Sequence, residues 1–286
     1  MWKYNKTYTS ERETQYRYDI FKTNMEKINE HNSKNYTWKM SINQWSDMSW
    51  EEFSNSKISR VTLKEEISTT DRRISRPINR PLSLDWRNFG VVGPIQNQKN
   101  CGSCWAFASI SCIESAYAIR RKINLNLSEQ QLVDCSRRWG NNGCNGGWML
   151  NAYRYILSNP ICKEDDYPYV ARDQSCKKCK GVLRVRPGGS FSGEDNYLNA
   201  VNIQPIAIAL FVSPEFQSYQ SGIFDWPCDK TANHAVVVVG YHSNPDYWII
   251  RNSWGENWGE NGYMRIVRGK NMCRIGRYST NTITIL

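Results

Sequence analysis

Two cysteines three positions apart, Cys101 and Cys104, stand in the stretch QNQKNCGSCWAF over residues 96–107. That spacing serves three chemistries. A zinc site would need a second pair of ligands, which Cys176 and Cys179 offer at the same spacing. A redox pair would need an early βαβ unit, but the preceding GVVGPIQNQKN is loop-like. The third reading makes Cys104 a nucleophile and bridges Cys101 elsewhere, and it needs a base. The chain has three histidines: His31 in a polar helical stretch, His242 in a turn before Asn244-Pro245, and His234 immediately before a run of four valines. A histidine at a strand mouth is more often structural. It gains a catalytic reading when an orienting group lies near. Asn252, in RNSWG, could accept an imidazole N–H and fix the tautomer.

The elements that would carry these residues can be read from periodicity. The apolar, Ala-rich run at 103–121 reads as a buried helix. A second helix starts near Ser128, an N-cap, with Gln131 at the capping-box position. Beyond residue 205 the runs 206–212, 235–239, 247–250 and 262–267 read as strands. Helices first and strands later predict an α+β fold with two segregated halves. At the N-terminus, residues 10–33 read as one helix, with Ser10 and Glu13 forming a capping box. Glu13, Arg17, Phe21, Asn24, Ile28 and Asn32 line one face of it. The stripe is too polar for an ordinary core, so its charges are expected to be buried and paired. Residues 54–80 are polar, basic, without aromatics, and closed by Pro77 and Pro81, which predicts an extended, cleavable linker.

A chain of 286 residues can build a sizeable core. Ten cysteines point to an oxidising compartment, as do the sequons at Asn5, Asn35 and Asn126. No apolar run is long enough to span a bilayer, and no leader is visible at Met1, so the expectation is that a leader was removed or that the sequence starts late. The net charge of +10 is spread over both parts, +4 in residues 1–80 and +6 in the remainder. A solvated surface explains it better than nucleic acid does, and an acidic polysaccharide is a further candidate.

CGSCW at 101–105, NHAV at 233–236 and RNSWG at 251–255 resemble the papain-like cysteine proteases. Cys104 precedes His234 by 130 residues and Asn252 by 148, separations usual in that family. The resemblance covers nearly the whole chain. The N-terminal stripe is similar to the inhibitory propeptide of the cathepsin L-like branch, and SINQWSD at 41–47 resembles its second motif. Ser41 and Trp45 stand where that motif usually has Gly and Phe, which predicts a reshaped inhibitory fit.

The resemblance implies a papain-like two-lobed fold, with a helical left half, an antiparallel β-barrel-like right half and a cleft between them. A small helical prodomain at 1–80 would precede the peptidase domain at 81–286. Cys104 would be the nucleophile, His234 the base and acid, Asn252 its holder, and Gln98 the oxyanion donor together with the Cys104 N–H. A helix N-terminus and a protonated His234 would bring the Cys104 pKa well below ~8.5. Trp254 would shield the Asn–His bond. Gly146 and Gly147 would pair with an extended substrate, while Met149, Ala235 and Tyr278 would line a shallow apolar pocket. The implied disulfides are Cys101–Cys144, Cys135–Cys176 and Cys228–Cys273. Cys162–Cys179 is expected as an extra one, and Cys112 as an inert packed thiol.

The implied function is a lysosomal, endosomal or secreted endopeptidase made as a zymogen, monomeric and without cofactor or metal. Its partners would be protein and peptide substrates, its own propeptide and cystatin-like inhibitors, but neither nucleic acid nor membrane. Rival readings are an exopeptidase of the same fold and a catalytically silent binding homologue. No His-rich insertion that would block one end of the cleft is visible, and silent relatives replace the nucleophile. Residues 48–80 are expected to run through the cleft over Cys104, opposite to a substrate. Acid is expected to loosen them by protonating Glu13 and other paired carboxylates. Cleavage near Arg76–Pro81 would leave an enzyme that begins just before Leu82.

Overall fold

The structure, a computed structural model, describes residue 4, residues 6–58 and residues 80–286. Asn5 and the stretch 59–79, which holds most of the expected linker and Arg76, lie outside the described residues. The N-terminal lobe consists of α1 (Glu11–Ser33), β1 (Trp38–Met40) and α2 (Trp50–Lys57). The body follows with β2 (Ser83–Asp85), α3 (Cys104–Arg121), α4 (Glu129–Cys135), α5 (Met149–Ser158), β3 (Val185–Phe191) and α6 (Glu194–Val201). It ends with β4 (Ile206–Leu210), β5 (Tyr219–Phe224), β6 (His234–Ser243), β7 (Asp246–Arg251), β8 (Tyr263–Val267) and β9 (Thr280–Ile285).

Among the described residues the main sheet runs β1-β5-β8-β7-β6-β2, with β4 also paired to β6, and β3 pairs with β9 in a second sheet. Neighbouring strands are antiparallel except β5 beside β8. β6 is buried along almost its whole length because helix α3 covers one face and aromatic packing the other. This explains its unbroken apolar run. One core joins α3, α4 and α5 to the near face of β4 and β6. The other lies on the far face and includes Trp38, Trp45, Phe53 and Ile58 of the N-terminal lobe.

The lobe is thus built into the body. β1 adds an antiparallel strand to β5, with Trp38 opposite Gly222. A side chain at Gly222 would meet the Thr37 carbonyl at 2.4 Å, so this pairing requires glycine. His31 is buried, at 6 % exposure, and its Nε2–H donates to the Trp38 carbonyl at 3.1 Å. Its ring packs against Tyr36, Trp38 and the body's Trp226. The histidine read as part of a polar helix face is therefore a contact between lobe and body.

The polar stripe on α1 has a definite use. Asn24 Nδ2 donates to the Ser46 and Met48 carbonyls, and Asn32 exchanges two hydrogen bonds with Met40. These side chains satisfy backbone groups in the irregular segment 40–48, where no strand or helix would. The expected Glu13 pairing is corrected. Glu13 accepts from the Thr9 N–H and hydroxyl, and Arg17 instead pairs with Glu52 on α2 at 2.8 Å. Asp47 pairs with Lys6 and accepts from Tyr8.

The linker reading fails at 54–57, which form the last turns of α2. Its start was legible, since Ser49 and Glu52 make a reciprocal capping box. At Ser10 the box is half present, because Ser10 Oγ accepts from the Glu13 N–H while the Glu13 carboxylate turns to Thr9. Gln131 likewise sends its side chain to Tyr155, Pro160 and Cys162 rather than back to its cap.

Candidate active site

Cys104 is the first residue of α3, where the helix leaves a tight loop pinned by the Cys101–Cys144 disulfide. The Gly102 N–H donates to the Cys144 carbonyl, and a side chain there would meet that oxygen at 2.5 Å. His234 opens β6. Asn233 holds the turn before it by exchanging hydrogen bonds with the backbone of Val212. Asn252 lies just past β7, the neighbour of β6, so strand pairing sets the two residues side by side.

The His234 Nε2–H donates to Asn252 Oδ1 at 2.8 Å, and the Ser253 N–H donates to the same oxygen. The other ring nitrogen, Nδ1, is buried with no partner among the described residues. Cys104 Sγ accepts from the N–H of Ala235, the residue after His234, at 3.4 Å. Ser253 Oγ donates to Gln98 Oε1 at 2.7 Å, and Gln98 N–H donates to the Ser253 carbonyl. One hydrogen-bonded chain therefore links Gln98, Ser253, Asn252 and His234. Trp254 is fully buried, with its ring 4.9 Å from that of His234.

The N-terminal lobe closes this site. Gln98 Nε2 donates to the Lys57 carbonyl at 2.9 Å and to the Cys101 carbonyl at 2.8 Å. Trp45 and Phe53 pack edge-on against Trp254 at 5.9 and 5.1 Å. Trp45 also meets Phe53 at 5.4 Å, so its larger ring is absorbed in an aromatic stack. Covering the site reverses the expected electrostatics. Burial pushes Cys104 up to about 11 against the pull of the Ala235, Trp105 and Cys104 N–H groups. Burial also pushes His234 down to about 4, against the Asn252 hydrogen bond. Burial thus disfavours both the thiolate and the imidazolium in this covered form, against the lowered thiol pKa expected from the sequence.

Met149, Ala235 and Tyr278 fall in one buried cluster with Cys104. Tyr278 is clamped from both ends: its hydroxyl accepts from the Ala232 N–H and its carbonyl from Tyr197. Gly146 has φ 126°, and a side chain at Gly147 would meet the Trp105 ring at 2.6 Å. Gly146 is thus favoured by its backbone conformation and Gly147 by the side chains packed over it. The zinc reading fails, because Cys101, Cys176 and Cys179 are all in disulfides. Those disulfides are Cys101–Cys144, Cys135–Cys176, Cys162–Cys179 and Cys228–Cys273, which leaves Cys104 and Cys112 as buried thiols. Asn35 and Asn126 are exposed.

Three participants had gone unread in the sequence. Ser253 was visible between Asn252 and Trp254, but a lone serine carries no spacing signal. Tyr169 donates to the Gln98 carbonyl and bonds Ser103, from a loop with no motif. Lys57 stands in the polar stretch whose composition predicts a linker.

The profile described as papain family cysteine protease matches residues 80–283, and that of the cathepsin propeptide inhibitor domain (I29) matches residues 1–53. Pro-cathepsin H of Mus musculus is 41% identical over 287 residues, covering 96% of this chain and 85% of its own. Thiol protease aleurain of Arabidopsis thaliana is 38% identical over 290 residues, covering 96% and 79%. The solved structure of a recombinant stem bromelain precursor superposes with a TM-score of 0.87 at 35% identity, covering 99% of this chain and 96% of that one.

Proposed function

The chain belongs to the papain family of cysteine proteases and carries that family's inhibitory propeptide, and on that footing we propose that it is the zymogen of an endopeptidase working through Cys104 and His234. The carrying observation is the continuous chain from Gln98 through Ser253 and Asn252 to His234, whose neighbour in sequence, Ala235, donates its N–H to the Cys104 sulfur. Once the prosegment leaves, water enters and the desolvation that disfavours the charged pair is relieved. The proton moves from Cys104 to His234 Nδ1, and the helix N-terminus favours the thiolate.

The thiolate attacks the peptide carbonyl carbon. The resulting oxyanion takes hydrogen bonds from Gln98 Nε2 and the Cys104 N–H. His234 gives its proton to the leaving amine, and a water it activates then hydrolyses the thioester. Asn252 and Trp254 hold the imidazole. Gly146 and Gly147 carry the extended substrate backbone, and Met149, Ala235 and Tyr278 line a shallow apolar pocket. In the zymogen the Lys57 carbonyl occupies the oxyanion donor.

We place the prodomain at 1–80 and the peptidase at 81–286. Arg80 bonds Asn199, Pro81 accepts from Tyr241, and β2 belongs to the main sheet, so a cut near residue 81 spares the body. Four disulfides support an oxidising compartment, lysosomal, endosomal or secreted. Cystatin-like proteins are the expected inhibitors, and the enzyme is expected to be a monomer.

The test uses the full chain activated in acid, an internally quenched peptide blocked at both ends, and an epoxide thiol label. Turnover, with the label on Cys104, is expected. Cys104→Ala should abolish both while keeping the fold. Residual turnover by Cys104→Ala would sink the nucleophile assignment. Cleavage confined to peptides with a free end would replace the endopeptidase reading with an exopeptidase.

A further inference from the structure

Lys57 is an unusual residue to find at 4 % exposure. Among the described residues it has no carboxylate partner. Its Nζ donates instead to the Lys99 carbonyl at 2.8 Å and to Asn100 Oδ1 at 3.2 Å, with the Trp45 ring 5.3 Å away. Two of these three partners belong to the body and stay when the lobe departs.

The first of these acceptors, the Lys99 carbonyl, is held by bonds that do not involve the lobe. Lys99 has φ 51°, in the left-handed region, and its N–H is tied to Asn97 Oδ1 at 2.8 Å. The Gln98 carbonyl is fixed by the Tyr169 hydroxyl, and the Gln98 N–H by Ser253. The loop thus keeps the Lys99 carbonyl in place beside the oxyanion donor Gln98, and Asn100 Oδ1 turns to the same ammonium when Lys57 is there. Two neutral oxygen acceptors that converge on one point fit an ammonium or a guanidinium, and such oxygens have no proton to give a carboxylate.

The half of the cleft concerned follows from α2. Phe53 packs on Trp254, which covers His234, the group that would protonate the leaving amine. Lys57 lies four residues on, on the same helix face. We infer that the Lys99 carbonyl and Asn100 Oδ1 form a subsite for a basic side chain of the substrate, in the leaving-group half of the cleft, and that Lys57 occupies it in the zymogen. Burial lowers Lys57 to about 8, which still leaves it protonated in acid, so a lysine binds there as a cation.

The inference rests on the protease reading, and the two fail differently. The experiment uses the acid-activated full chain with peptides of one sequence carrying Lys, Arg, norleucine or Glu at each of the three positions after the cleaved bond. Active sites are counted by thiol-label titration. At one of those positions Lys and Arg should exceed norleucine in kcat/KM by about tenfold, the worth of one well-placed hydrogen bond to a charged group. Asn100→Ala should bring that ratio toward one, and Asn100→Asp should raise it. In the zymogen, Lys57→Met should speed release of the prosegment while Lys57→Arg should not. Equal rates for Lys and norleucine at all three positions, or a preference untouched by both Asn100 variants, would overturn the subsite and leave the protease reading standing. No turnover of any peptide, with Cys104 unlabelled, would overturn both.

Discussion

Gln98 donates its side-chain N–H to the backbone carbonyl of Lys57 across 41 residues of sequence, at 2.9 Å. One bond thereby joins the body's candidate oxyanion donor to the lobe that covers it. Gln98→Ala should lower kcat of the activated enzyme by about 10²–10³, the usual loss for one such donor. It should also weaken the hold of the prosegment, measured as inhibition by the lobe added as a separate peptide. An unchanged kcat would mean that the oxyanion is held elsewhere.

Acid release should depend on Glu52. Burial alone would raise its pKa, but hydrogen bonds from Arg17 and Ser49 outweigh that and hold it lowered. Arg17, Ser49 and Glu52 all belong to the lobe, so a carboxylate lowered on folding stabilises the folded lobe, the form that docks, above its ordinary value of 4.5 and loses that contribution as pH falls through the folded value. Both side chains are partly exposed, so the pair is worth about 1 kcal/mol or less. Glu52→Gln and Arg17→Gln should therefore activate a few-fold faster near neutral pH. Glu13→Gln, whose carboxylate faces Thr9, should activate like the parent. The reverse order in a stopped activation assay would refute the Arg17–Glu52 account.

His31 should act at a higher pH than Glu52. Burial lowers its pKa from 6.5, against the pull of the Trp38 carbonyl, with Lys34, Lys39 and Glu215 as the charged groups near it. The docked lobe thus favours neutral His31. Its contribution is intact above 6.5 and falls away as pH drops from there through the lowered value. His31→Phe should keep the ring packing and flatten the pH dependence of activation just below 6.5. An unshifted profile would assign that range to other groups.

The Cys162–Cys179 disulfide closes a loop of 17 residues, for which roughly 3 kcal/mol is the usual stabilisation. Replacing both by serine should lower Tm by roughly 5 °C. Differential scanning calorimetry of parent and variant would show it. An unchanged Tm would mean that the bond adds nothing to the folded state.

Much of the architecture was readable locally. Helix α3 announced itself by its apolar run, and β4, β6, β7 and β8 by theirs. β3 did not, because VRPGGSF carries a proline and two glycines and is held by the register of β9. The start of α2 was written in Ser49 and Glu52, but the polar stretch after it argued for a linker. Tertiary contact decided otherwise, by burying Phe53, Lys57 and Ile58 against the body.

The sequence by itself determined which residue types stood at which spacing: Cys104 at a helix start, His234 at a strand mouth, Asn252 past the next strand, and the Glu13–Asn32 stripe on one helix face. These follow from covalent order and from the periods of helix and strand, which are local properties. The tertiary structure alone decided what each group faces. It gave Arg17 to Glu52 rather than Glu13, and it buried His31 under Trp226. It placed the Lys57 carbonyl on Gln98, and it buried Cys104 and His234 so that their charged forms are disfavoured. Desolvation and pairing depend on which distant segments pack together, and no period along the chain encodes that.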